Sequence, residues 1–248
     1  MINLFNNFIY EPLLAVLVFI YQNIAFGDLG LSIILLTIFV RVVLFPVFWK
    51  SAKDQALMNR LQPHIKQIQL DHKDDREEQA KKLMALYKEH RLNPLSGFLL
   101  LLIQLPILIA IYHIILRDLT TDIFTNFYFL GLLDLGEKSL VLAVIAAAFQ
   151  YLQGKISFPR RNSSKKDDLS ASMAQMGRMM IIIGPAVTFF ILVNLPAAVG
   201  IYWTTSVLFS LGQQVIINKK LPKIEHDGEY SGKNKKHAGA DGLQKNSG

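Results

Sequence analysis

Apolar residues are grouped into long runs separated by short charged gaps. Five runs reach or approach the ~20 residues of helix that a bilayer's hydrocarbon core requires: 29 to 48, 95 to 116, about 138 to 157, 179 to 195, and 196 to 217. The last two are one apolar stretch interrupted by "NLPAA", where Asn194 and Pro196 mark a turn because proline removes a donor and biases its predecessor away from helix. The expected fold is an all-α polytopic membrane protein with five transmembrane helices. The run "EPLLAVLVFIYQNIAF", 11 to 26, is read as a helix lying at the outer interface with Tyr10 and Tyr21 at headgroup level; the alternative is a sixth span.

A different period governs 50 to 93. Leu57, Leu61, Ile65 and Ile68, then Leu83 and Leu86, recur at helical spacing in two charged stretches separated by "DHKDD". They predict an antiparallel helical hairpin, either a solvated spacer or a contact surface for a client or partner. Its return helix runs into "NPLSG", where Asn93 can cap and Pro94 can open the second span. The resulting organisation is an extracytoplasmic N-terminus (1–28), a first span (29–49), a cytoplasmic hairpin (50–93), spans two to five (94–217) and a polar, Lys- and Gly-rich tail (218–248) expected to be disordered.

Composition agrees with a membrane protein: 52% of the 248 residues are apolar and 18% charged. The net charge of +7 lies mainly in the gaps, where 23 of the 26 Lys and Arg residues fall in 50–93, 155–178 and the tail from 219. With five spans those three segments share one face, and the positive-inside rule makes it cytoplasmic, N-terminus out and C-terminus in. Residues 1 to 10 lack the basic start of a cleaved signal peptide, so no N-terminal removal is expected. With no cysteine in the chain, disulfides, thiolate metal sites and a lipid-modified N-terminal cysteine are excluded.

The candidate chemistry is a set of polar groups inside apolar runs. Arg41 lies in "LTIFVRVVLFPVF", nine residues before Lys50, or roughly 13 Å inside the cytoplasmic boundary if the helix is straight. A central arginine costs on the order of 3 kcal/mol and is normally kept where it meets a wet cavity or a partner. The second run holds Gln104 before Pro106, and the third Gln150 and Gln153. The fifth places Tyr202, Ser206, Ser210 and Gln213 on one helical face, with Trp203 and Thr204 beside it. Singly each is ordinary interhelical glue; together they suggest a polar groove. No acidic residue lies inside a span, His113 has no partner at recognisable spacing, and no phosphate loop, HExxH or GxSxG occurs. Neither catalysis nor a metal or cofactor is expected.

Three stretches, "LGLSIILLTIFVRVVLFPVFWKSAK", "YKEHRLNPLSGFLLLLIQLPILIAIY" and "NLPAAVGIYWTTSVLFSLGQQ", resemble the signature regions of the YidC/Oxa/Albino membrane protein insertase family in order and over nearly the whole chain. The resemblance implies a five-helix core with a groove open to cytoplasm and lipid but closed outside. Arg41 corresponds to the family's groove arginine, Gln150 and Trp203 resemble groove positions, and Gln104, Tyr202 and Ser206 are further candidates. It implies a bacterial cell-membrane insertase and chaperone, with nascent membrane proteins and the bilayer as partners and no small-molecule substrate. Ribosome contact through the basic tail and cooperation with the Sec translocon stay open. The chain shows no large extracytoplasmic domain with an extra span, which suggests a minimal form. Two other classes remain, a small transporter or channel subunit and a membrane assembly scaffold.

Overall fold

The computed structural model describes residues 2–93, 95–118, 123–157 and 181–220; side chains 2, 3 and 97–101 are outside the description. The basic segment before the fourth predicted span and the tail from 221 therefore lie outside the described residues, as does Pro94. The elements are α1 (Ile2–Phe5), a π-helical turn (Asn6–Tyr10), α2 (Glu11–Asn23), α3 (Leu29–Val43), α4 (Phe45–Asp71), α5 (Arg76–Glu89) and α6 (Ser96–Asp118). There follow β1 (Tyr128–Phe129), β2 (Leu133–Asp134), α7 (Leu140–Ser157), α8 (Ile181–Leu192) and α9 (Ala197–Lys220).

The helices form a bundle around α9, which packs along both α7 and α3. Its main core joins Leu17 and Ile20 of α2, Leu29, Ile33 and Leu36 of α3, Ile111, Ile114 and Ile115 of α6, and Ala197, Ala198 and Ile201 of α9. Tyr10 and Tyr21, which the sequence reading set at headgroup level, belong to this core and are 7% and 6% exposed. The reason is protein packing: α2 lies against α3, and the Tyr21 hydroxyl accepts the Asn126 N–H at 3.1 Å.

Asp28 organises the same end of the bundle. One carboxylate oxygen accepts the Leu31 N–H at 2.8 Å and caps α3; the other accepts the Leu130 N–H at 2.7 Å in the β1–β2 turn. In the three-residue loop between Phe129 and its partner Leu133, the Leu132 N–H returns to the Phe129 carbonyl at 3.0 Å, and the two central residues of that turn, Leu130 and Gly131, have positive φ (51° and 69°). The hairpin lays Phe129 on α3 at Gly30, where a Cβ would overlap the phenyl ring.

The first predicted span, 29 to 48, is not one straight helix. α3 ends at Val43, the chain turns by 73° at Leu44, and residues 45 to 48 belong to α4. Pro46 in the first turn of α4 explains the site of the break: it has no N–H to bond a carbonyl one turn earlier, and it suits a helix start. The helical stretch expected from residue 51 thus begins six residues earlier, at Phe45.

All six apolar positions predicted in 50–93 lie in one small cluster, with Leu61, Ile65, Ile68, Leu86 and Leu92 buried and Leu57, Met58, Leu83 and Tyr87 packed on them. Asp75 caps α5, accepting the Glu77 and Glu78 N–H groups. The first half of α4 is tied to the bundle: Ser51 Oγ donates to the Ser96 carbonyl (3.0 Å), Asn59 Nδ2 to the Ser157 carbonyl (2.6 Å) and Arg60 Nη2 to the Asn218 carbonyl (3.2 Å). Asn93 Oδ1 accepts the Leu95 N–H at 2.9 Å, and α6 begins at Ser96.

Among the described residues one helix, Leu140–Ser157, is long and apolar enough to cross a membrane alone, and only 17% of its apolar window is buried. A core helix of a soluble protein would be buried instead. α3 and α4 pass the same test together across their bend, while Leu102–Arg117 and Ile181–Leu192 are shorter apolar helices. Large side chains stand exposed on α3, α6, α7 and α8, including Val141, Ile182 and Phe190 at 65–68%. Such continuous apolar surface is what lipid would cover.

Candidate functional site

The predicted polar residues converge on α9, in two groups on two of its sides. On one side, Arg41 from the last turn of α3 donates from Nη1 to Ser210 Oγ at 3.0 Å, and its guanidinium lies 4.2 Å from the centre of the Phe48 ring. Ser210 Oγ in turn donates to the Ser206 carbonyl at 3.0 Å. One turn along, Gln104 of α6 donates from Nε2 to the Tyr202 hydroxyl. Tyr202 and Ser206 are buried, and the Ser206 hydroxyl sits beside the Tyr202 phenol without meeting hydrogen-bond geometry.

On the other side, Gln150 Oε1 accepts two donors, Thr188 Oγ1 of α8 at 2.6 Å and Trp203 Nε1 of α9 at 3.0 Å. One amide oxygen therefore joins α7, α8 and α9. The approach is close because Gly184 lacks a side chain: a Cβ there would meet Gln150 Nε2 at 3.3 Å. A cavity of ≈ 320 Å³ opens beside this contact, lined by Gln55 of α4 together with Gln150, Gln153, Ser157, Gly184 and other α7 and α8 residues. Gln150 is the one of the six predicted site residues that lines it.

The bend at Leu44 changes the meaning of Arg41. Measured along a straight helix to Lys50 the residue looked deep; in the structure α3 stops two residues after it. A cation in the last turn of a helix faces unsatisfied carbonyls and the negative end of the macrodipole, which favours it by a few tenths to about 1 kcal/mol. Arg41 is nevertheless only 6% exposed, and among the described residues no carboxylate forms an ion pair with it. Its identified partners, a hydroxyl and a ring, leave its full positive charge in place.

Sequence reasoning missed Phe48 and Thr188 as partners. Phe48 reads as part of an apolar run, and only the break at Leu44 folds it back over Arg41. Thr188, 2% exposed, is a lone hydroxyl in "GPAVTFF" whose use depends on the register of α7 against α8. Gln55 of α4, which no sequence pattern singled out, also reaches the cavity. Among the described residues no group of three or more His, Asp or Glu side chains is placed to hold a metal ion.

The family described as "60Kd inner membrane protein" matches residues 19–224. The chain belongs to this family. The matched segment includes α3 to α9 and with them Arg41, Gln104, Gln150, Tyr202, Trp203 and Ser206. Relatives named "Membrane protein insertase YidC" occur in Francisella tularensis subsp. novicida (strain U112), subsp. tularensis (strain WY96-3418) and subsp. mediasiatica (strain FSC147). Each is 35% identical over 193 residues, covering 78% of this chain and 33% of the relative. The chain thus spans about a third of the length of the curated relatives it matches. Membership in an inner-membrane family supports a bacterial inner-membrane location and agrees with the exposed apolar bands.

Proposed function

We propose that this protein is a membrane protein insertase that leads short hydrophilic client segments past a polar face of α9 and releases hydrophobic segments into the bilayer. The observation that carries the reading is Arg41: a buried guanidinium, conjoined to Ser210 and Phe48 and neutralised by no carboxylate among the described residues, in a chain whose family includes proteins named as insertases. An acidic client side chain coming close to it would gain on the order of a few kcal/mol before desolvation. That is enough to hold the segment transiently and too little to trap it.

The driving force lies with the client, since each methylene entering lipid contributes about 0.8 kcal/mol. The protein's part is to shorten the dry path for the polar segment. Five spans with the N-terminus outside and the C-terminus inside fit the distribution of Lys and Arg. In this arrangement α4 and α5 project into the cytoplasm, the Asp28 end faces outward, and α2 lies at the outer interface while packing on the bundle. Nascent membrane proteins are the partners, and the basic tail is suited to the ribosome or the Sec translocon.

The test is insertion of a short single-span client into liposomes containing only this protein. Insertion above the protein-free level supports the reading. Absence of insertion together with ion or solute flux would favour the transporter alternative, and absence of both would favour a scaffold.

A further inference from the structure

A second cavity of ≈ 320 Å³ lies at the bend between α3 and α4, away from the α9 contacts. Pro46 and Val47 form an apolar wall, and Lys50, Asp54, Asn93 and Ser96 supply its polar groups. Asp54 is 4% exposed, and its Oδ2 has no hydrogen-bond partner. It forms no ion pair among the described residues; Lys50 and Lys53 on the same helix are exposed. A buried carboxylate oxygen without a donor is costly unless something fills the position. The cavity's volume is at the lower end of the range for small-molecule sites.

Three features define the chemistry of an occupant. A group carrying N–H and positive charge satisfies Asp54 Oδ2. An anion suits Lys50, on the cavity rim. Val42, Val43 and Phe45, which flank the bend next to Pro46 and Val47 in the chain, are 58%, 58% and 40% exposed and offer apolar surface for an acyl chain. An N–H-bearing ammonium, a phosphate a few bonds away and acyl chains occur together in the aminophospholipids.

We propose that this cavity binds the headgroup of a phospholipid bearing a primary amine, of the phosphatidylethanolamine class, with its ammonium on Asp54, its phosphate on Lys50 and its chains along Val42, Val43 and Phe45. Asp54 is the discriminating group. A choline headgroup has the same charge, phosphate and chains but no N–H to donate, and a glycerol headgroup has no cation. The site is at the transition from apolar α3 to polar α4, where a headgroup would be expected. Burial raises the Asp54 carboxyl above the ordinary carboxylate range, against the opposing effect of the Asn93 N–H, Lys50, Lys53 and the Ser96 hydroxyl. A bound ammonium would add to that opposition.

The test uses the full chain in detergent, exchanged with equimolar phosphatidylethanolamine, phosphatidylcholine and phosphatidylglycerol of identical chains, with retained lipid read by native mass spectrometry. The wild-type protein should retain the ethanolamine lipid about tenfold over the choline lipid, the ratio expected when one charged hydrogen bond of about 1.4 kcal/mol is available to one and not the other. Asp54→Ala, which leaves no side-chain acceptor, should bring that ratio close to one, while Lys50→Gln should weaken both lipids and preserve the ratio. Equal retention by the wild type overturns the proposal whatever the variants do, so it stays testable if a variant misfolds. An unchanged ratio in Asp54→Ala also overturns it. Soluble glycerophosphoethanolamine displacing the lipid at equal concentration would assign the site to a small molecule and overturn the lipid assignment. No client enters the measurement, so its failure is separable from failure of the insertase reading.

Discussion

Arg41 and Ser210 meet at 3.0 Å across the α3–α9 contact, and the serine hydroxyl donates to the Ser206 carbonyl within its own helix. Removing the arginine therefore does not orphan the serine. What disappears is one bond and the contact with Phe48, worth about 1 kcal/mol each. Arg41→Ala should lower insertion of clients with acidic N-terminal segments about tenfold, leave neutral clients nearly unchanged and move the melting temperature by only a few degrees. Arg41→Lys keeps the charge and should keep most of the activity. Equal insertion of both clients by all three proteins would remove the charge from the mechanism; so would unfolding of both variants.

Gln150 is a structural test of a different kind. Its Oε1 is the shared acceptor for Thr188 and Trp203, so Gln150→Leu leaves two donors unpaired, each at about 1–3 kcal/mol. Thermal unfolding should show a clear loss for Gln150→Leu and a smaller one for Gln150→Glu, which keeps an acceptor. The double variant Gln150→Leu with Trp203→Phe should lose less than the sum of the singles, because the second change removes a donor already orphaned. Additive losses would show that Trp203 does not depend on Gln150.

Topology can be read with single cysteines, since the chain has none of its own. Ser51, attractive from sequence as a cytoplasmic marker, is 2% exposed and unsuitable, whereas Lys53 is exposed. In intact cells an impermeant thiol reagent should label Leu132→Cys, which is 88% exposed in the β1–β2 turn, and should spare Lys53→Cys, Ser163→Cys and Ser231→Cys. Labelling of any of the last three from outside would reverse the orientation or change the number of crossings.

Asp54 gives a pH prediction with a definite sign. A carboxyl whose folded pKa is raised favours folding while it is protonated, and its contribution is lost as pH climbs through the folded value. Once pH exceeds the raised folded value, the wild type carries a buried charge that Asp54→Asn lacks. In delipidated protein the variant should then melt higher than the wild type, and the gap should shrink as pH falls below the ordinary Asp value of about 3.9, where the carboxyl becomes neutral in both states. A gap independent of pH would place the effect in packing instead of charge.

What the sequence made legible was whatever depends on local pattern. The apolar period of 3.6 identified Leu57, Leu61, Ile65, Ile68, Leu83 and Leu86 as one packed set, and the turn chemistry of Asn194 and Pro196 marked the break before α9. It also singled out polar side chains in apolar runs, which is why Gln104, Tyr202, Gln150 and Trp203 prove to be paired with one another. It failed where the answer depended on a change of direction. Pro46 was visible, but an apolar run continuing to Phe48 read as one span, so the bend at Leu44 and the true setting of Arg41 were missed. The burial of Tyr10 and Tyr21 was hidden for a related reason: an aromatic at the end of an apolar helix has the same sequence signature whether or not the protein's own residues cover it. Asp54 looked like one charge among many on a polar helix, and only the approach of α6 buries it.

The attachment of α4 divides 50–93 into two parts that can be tested separately. Ser51, Asn59 and Arg60 hold its first half to Ser96, Ser157 and Asn218, whereas the apolar contacts in the cluster beyond Leu61 lie between α4 and α5 and the segment leading to α6. Deleting 51–92 outright would remove all three polar ties along with the projecting tip, and lost insertion could then reflect a loosened bundle. Replacing only 66–83 with a short Gly-Ser turn keeps Ser51, Asn59, Arg60, Leu61 and Ile65. This trimmed protein should melt within a few degrees of the wild type, since its losses lie outside the bundle, while Asn59→Ala alone should cost about 1 kcal/mol by releasing the Ser157 carbonyl. If the tip is a contact surface for clients or a partner, the trimmed protein should insert poorly despite its unchanged stability. Wild-type insertion by the trimmed protein would reduce the tip to a spacer and leave the docked half of α4 as the part of this segment that matters.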